Sequence, residues 1–191
     1  MLKRTVERLE LMEIEGRFDI SRQGLLLPPE ERPRNDKTFQ FNMGNLEGIE
    51  EYKDLHALTK LLYCLPFELN QHAPMLQLQL TEHFEVSFLS PPDSLWYRMH
   101  LDSGFGRTES DFDTGLKITC IYIVSSQNES LTVSLKNGDK MEEVRVKSNT
   151  LVVLKSRRVA YDIRIKNPEK TGKVFMMSLK ISGPVDHSKR I

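Results

Sequence analysis

A mainly β chain of the α+β class follows from three observations: helices come first, then a double-sheet antiparallel barrel of the jelly-roll kind, buttressed by helices on one side. Apolar residues recur at helical spacing only in the early part of the chain. From Phe84 onward the period changes to two, which is strand spacing. Turn-formers separate the period-two runs, among them Asn137-Gly138, a hairpin signal between alternating segments.

Leu2, Val6, Leu9 and Met12 share one helical face, so residues 2–15 read as an amphipathic helix that Gly16 stops. Three prolines between positions 28 and 36 forbid regular structure there. Residues 37–41 read as a short strand with Phe39 and Phe41 on one face, and Gly44, Asn45 and Gly48 as a turn. Ile49, Tyr52, Leu55, Leu58 and Leu61 or Leu62 mark a second helix running to about Leu65; Pro66 ends it, and 67–72 allows one more helical turn. Strands are expected at 84–89, 96–101, 116–124, 130–136, 142–147, 150–155, 160–166 and 173–180. This divides the chain into an N-terminal helix and Pro-rich connector over 1–33, a barrel domain over 34–181, and a polar tail over 182–191.

At 191 residues the chain suits one domain with a full core. Lys plus Arg equals Asp plus Glu, at 27 each, so no global field draws in nucleic acid or an anionic membrane. No apolar run approaches the length of a membrane span. Cys64 and Cys120 each lie in an apolar run and read as buried thiols in a reducing compartment. Glu7 and Glu10 spoil a transit-peptide reading of the basic N-terminus. The expected setting is intracellular, cytoplasmic by default, with mitochondrial and nuclear settings left open.

The chemistry concentrates in Trp96-Tyr97-Arg98-Met99-His100-Leu101-Asp102. In a strand, positions i and i+2 point to one face, so the His100 imidazole and the Asp102 carboxylate project side by side, as two ligands of one metal must. On its own this is a common dipeptide spacing. His56, His72, His83 and His187 read as surface residues. The loop from Gly104 to Asp113 is acidic and carries Phe105 and Phe112, and it reads as a connector or as a binding loop. Arg164 and Lys166 share a strand face that is either solvated or meets an acidic partner or RNA backbone.

Residues 34–41 (Arg-Asn-Asp-Lys-Thr-Phe-Gln-Phe), Tyr97 to Asp102, Lys117 to Tyr122 and Asn149 to Arg158 follow in an order that resembles one family. It is the prolyl-hydroxylase branch, of the oxygen-sensing type, of the iron(II)- and 2-oxoglutarate-dependent oxygenases. The resemblance covers about residues 34–181; Thr119-Cys120-Ile121-Tyr122 and Ser156-Arg157-Arg158 carry it most specifically. It implies a double-stranded β-helix, a cupin-like jelly roll, with Fe(II) held by His-x-Asp and a distal His, leaving positions open for 2-oxoglutarate and oxygen. His100 and Asp102 match the first two ligands, while Tyr161 stands in place of the distal His. The family's bidentate Arg for the co-substrate carboxylate corresponds to Lys173, a point charge that cannot form the fork. A tyrosine supporting the same carboxylate is replaced by Ile123, and Thr119 is retained. Lys173, Thr119 and Tyr97 are therefore the candidate co-substrate residues, and His100 and Asp102 a vestigial metal pair.

A phenol must lose its proton to bind a metal well, whereas buried tyrosines that only pack and hydrogen-bond are common. Three functional expectations follow. The first is a degenerate oxygenase fold acting as a binding or assembly subunit with protein partners and no bound cofactor. The second is a live peptidyl hydroxylase using Fe(II) and 2-oxoglutarate at an altered metal site. The third is a ligand-binding barrel in which Lys173 holds a carboxylate.

Overall fold

The computed structural model describes residues 1–20, 37–89, 97–99, 115–125, 131–137, 140–156, 159–165 and 173–184. Helix α1, Leu2–Ile14, buries Leu9 and Met12 completely. It stops at Gly16, whose φ of +72° only glycine adopts without strain. The Gly16 N–H donates to the Glu13 carbonyl and the Arg17 N–H to the Met12 carbonyl, so carbonyls of the last turn are satisfied. Arg8, whose side chain is only 13% exposed, ties this helix to the segment ahead of the next. Its Nη2 donates to the Tyr52 hydroxyl at 3.2 Å and pairs with Glu51 at 3.1 Å.

Strand β1, Asp19–Ile20, pairs with β2, Lys37–Asn42. No strand is expected there from the sequence, and residues 21–36, which follow β1, lie outside the described residues. A 3-10 turn, Met43–Leu46, follows β2, and the Asn45 side-chain oxygen accepts from the Asn42 N–H. The expected single helix from Ile49 to Leu65 is divided. A 3-10 turn at Glu50–Tyr52 leads into α2, Lys53–Tyr63, and then into α3, Leu65–His72. Pro66 opens α3 instead of closing α2, because a first-turn residue needs no intrahelical N–H bond. Cys64 sits at the joint between these helices and is exposed, which corrects the expectation of two buried thiols; Cys120 is buried.

The remaining strands are β3 His83–Leu89, β4 Tyr97–Met99, β5 Leu116–Ser125, β6 Leu131–Asn137, β7 Lys140–Val146, β8 Thr150–Lys155, β9 Ala160–Ile165 and β10 Val174–Ser182. They form a six-stranded sheet in the order β1-β2-β3-β10-β5-β8 and a four-stranded sheet in the order β4-β9-β6-β7, and every pairing is antiparallel. The 28–36 loop, the Gly104 to Asp113 loop and residues 185–191 lie outside the described residues.

The larger sheet is buried on both faces along β5, which shows why the sequence of that strand is apolar at consecutive positions. Ile118, Cys120, Tyr122 and Val124 enter a core shared with the helices. Ile121 and Ile123 enter a second core between the two sheets. Strand β10 divides the same way, with Val174 and Met176 between the sheets and Phe175, Met177, Leu179 and Ile181 towards the helices. Among the described residues, no helix is long and apolar enough to cross a membrane.

Phe175 is fully buried, with its ring centroid 5.2 Å from that of Phe88 and 6.4 Å from that of Phe18. Phe175→Ala is expected to cost about 3–5 kcal/mol in urea unfolding. A loss below about 1 kcal/mol would mean that this aromatic cluster does not hold the sheet to α1.

Candidate functional site

Strand β4 brings the predicted metal segment beside the predicted distal position. Tyr97, Arg98 and Met99 pair with Ile163, Asp162 and Tyr161 of β9. The Tyr161 side chain is 5% exposed and belongs to the core between the sheets, as does Ile163 two residues on. Tyr161, which the resemblance sets in place of the distal His, therefore faces the inter-sheet space, across the ladder from Met99. His100 follows Met99 directly, but His100 and Asp102 lie outside the described residues. For Tyr97 only the backbone is described.

Thr119 alternates with Ile121 and Ile123 on β5, which places it on the inner face of the larger sheet. It is 1% exposed, and its hydroxyl lies 2.7 Å from that of Ser156, which is equally buried. These two buried hydroxyls thus partner each other, as burial requires. Ile123 is fully buried in the same inter-sheet core, opposite Met176 of β10.

Lys173 is placed differently. Its Nζ is 3.1 Å from Glu13 Oε2 on α1 and 5.6 Å from the centroid of the Phe88 ring. Both contacts are on the helix side of the larger sheet. The next residue, Val174, has no exposure and lies in the inter-sheet core. Neighbouring residues of a strand point to opposite faces, so the Lys173 ammonium and the Thr119 hydroxyl are on opposite sides of the sheet. The fold brings Tyr161, Thr119 and Ile123 to one layer and leaves Lys173 outside it. Glu13 also meets Lys37, with Oε1 3.7 Å from Nζ, so one partly buried carboxylate ties α1 to β2 and to the start of β10.

His56 is half-buried, His72 and His83 are exposed, and His187 lies outside the described residues. Among the described residues, no group of three His, Cys, Asp or Glu side chains is placed to hold a metal. The Arg164 side chain and Lys166 are outside the described set.

One feature was not anticipated from the sequence. A polar groove of about 570 Å³ lies where β2, β3 and β10 meet, lined by Gln40, Asn42, His83, Glu85, Ser178 and Lys180 among others. Gln40 donates to Glu85 at 2.8 Å across the β2–β3 ladder. Polar residues alternating with Phe39, Phe41 and Phe84 were the signal; alternation alone equally describes a plain solvated face.

Facing antiparallel sheets in this strand order, with helices on the outer face of the larger, define a double-stranded β-helix of the jelly-roll class. Among solved structures, the chain is similar to prolyl hydroxylases. A Pseudomonas putida prolyl-4-hydroxylase aligns with a TM-score of 0.64 at 14% identity, over 96% of this chain and 86% of that one. The Trichoplax adhaerens prolyl hydroxylase in complex with a hypoxia inducible factor oxygen degradation domain peptide fragment aligns with a TM-score of 0.65 at 16% identity, over 95% and 77%. A Phytophthora capsici prolyl 4-hydroxylase aligns with a TM-score of 0.60 at 12% identity over 95% of this chain, which spans 54% of that one. No family model and no curated protein matches the sequence. The fold is that of the prolyl hydroxylases, at a distance where sequence identity carries little.

Burial pushes the Cys120 thiol up to about 12. In the unfolded chain a thiol ionises near pH 8.5 or so. The unfolded state therefore loses its proton first, and the stability contributed by the neutral Cys120 is full below that pH and falls as pH rises towards 12. Relative to Cys120→Ala, the unaltered chain is expected to lose stability more steeply above pH 9 or so. Under native conditions at pH 8, a thiol reagent should modify Cys64 alone; rapid modification of both thiols would contradict the burial of Cys120.

Proposed function

We propose that this chain is a prolyl-hydroxylase-like protein with the Fe(II)/2-oxoglutarate dioxygenase fold that has given up oxygenase chemistry. It works as a binding or assembly subunit of a protein complex. The observation that carries the reading is Tyr161, a phenol in the inter-sheet core at the position where the resemblance implies the third iron ligand. The donor set does not fit ferrous iron well. A neutral phenol is a poor donor, and the metal would have to displace its proton to gain a ligand.

The co-substrate side supports the same reading. Lys173 has a carboxylate partner in Glu13 and stands on the helix side of the sheet, while Val174 and Ile123 contribute only hydrocarbon to the inner layer. Thr119 spends its hydroxyl on Ser156. A relative of the same fold holds a peptide fragment, and peptide capture without turnover is a role that a barrel with a silenced metal pocket can keep.

A second reading, an active peptidyl hydroxylase with an altered metal site, is favoured by the intact His100-x-Asp102 pair. Anaerobic loading with ferrous iron and 2-oxoglutarate separates the two. The first reading expects no stoichiometric iron by elemental analysis and no succinate above the protein-free rate. Tyr161→His should raise iron affinity by more than about 100-fold, since a direct ligand matters more than the groups that orient one. Iron-dependent succinate formation by the unaltered chain would overturn the first reading in favour of the second.

A further inference from the structure

Among the described residues, β7 ends the smaller sheet and β8 the larger. Strand β7 carries Lys140, Glu142, Glu143 and Arg145, all exposed. Charge along a strand is a usual device that stops an open edge from pairing with another chain. Strand β8 is charged only at its last residue. Its six residues, Thr-Leu-Val-Val-Leu-Lys, carry no charge before Lys155, and no strand pairs with its outer side among the described residues.

The Ser156 N–H donates to the Lys117 carbonyl at 3.0 Å, in line with the β5–β8 register that sets Ile118 opposite Lys155. Antiparallel ladders alternate between bonded and non-bonded pairs. Ser156, Leu154, Val152 and Thr150 therefore turn their backbone groups to β5, while Leu151 and Val153 turn theirs to the free edge; the Lys155 carbonyl accepts from the Val159 N–H at 3.1 Å. The side chains of Leu151 and Val153 are 37% and 41% exposed. Open backbone groups and uncovered apolar side chains thus come from the same residues.

We propose that β8 is the interface through which two copies of this chain pair, antiparallel about Val152. In that register Leu151 stands opposite Val153 of the second copy, and Val153 opposite its Leu151. Opposed residues share a face, so four exposed apolar side chains form one patch. The open N–H and C=O groups of Leu151 and Val153 meet their counterparts. Lys155 falls opposite Asn149, so the two lysines do not confront each other. The chain has 27 basic and 27 acidic residues, so two copies approach at neutral pH without net repulsion. The pairing continues the larger sheet across both copies and is independent of whether the barrel turns over a substrate.

The test is the solution mass of the full chain by light scattering after size exclusion. The unaltered chain is expected to be a dimer of 22.2 kDa protomers. Val153→Lys, at an exposed site, is expected to yield a monomer with an unchanged far-ultraviolet spectrum. In a Cys64→Ser background, Leu151→Cys with Val153→Cys should give a disulfide-linked dimer on oxidation, because directly opposed bonded residues lie within bridging distance. A monomeric unaltered chain overturns the proposal. So does a dimer that survives Val153→Lys, or one that does not cross-link, since either places the contact on another face.

Discussion

The constraint on which the rest of the structure depends is that the centre of the larger sheet, where β5 meets β10, is covered on both faces. Helices lie against one face and the smaller sheet against the other, so β5 and β10 must be apolar at successive positions. The same requirement makes Thr119 conspicuous. It is a hydroxyl in a run of hydrocarbon, tolerated because Ser156 satisfies it. Because one strand serves two cores, a change at Ile121 is felt between the sheets while a change at Cys120 is felt under the helices.

This two-sidedness also sorts the chemistry. A strand offers its pocket only every second residue, so a cation one position away is on the wrong side of a packed sheet. Lys173 and Val174 are the case in point: the charge goes to Glu13 on α1, and the hydrocarbon goes inward. The ion pair is partly exposed, and its energetic value is therefore modest. Its structural value is larger, because Glu13 reaches both Lys37 and Lys173 and so fixes α1 against two strands of the sheet. Lys173 is thus part of how the helix is held.

Exposed features divide in a similar way. Strand β7, charged along its length, and β8, charged only at Lys155, follow one another in the chain and end the two sheets among the described residues. Among the exposed apolar residues, Leu61 and Phe67 on the outer sides of α2 and α3 are isolated side chains on helices whose backbone bonds are internal. Leu151 and Val153 differ because open backbone groups accompany them, and it is that combination which another strand can satisfy.

The strands were legible because the period of two is imposed by the backbone itself, and most of the expected spans agree with the observed ones within two or three residues. The helix pair was less legible. Pro66 reads as a stop in isolation, and only the packing of α2 and α3 shows that it begins an element and leaves Cys64 at an exposed joint. Residue types were readable at the candidate site: a phenol at position 161, a lysine at 173, isoleucine at 123. By itself, then, the sequence determined the order of the elements, the alternation along each strand and the donor atoms available. Tertiary structure alone decided which layer each side chain enters and which edge is left open, because those depend on what packs against a strand from other parts of the chain.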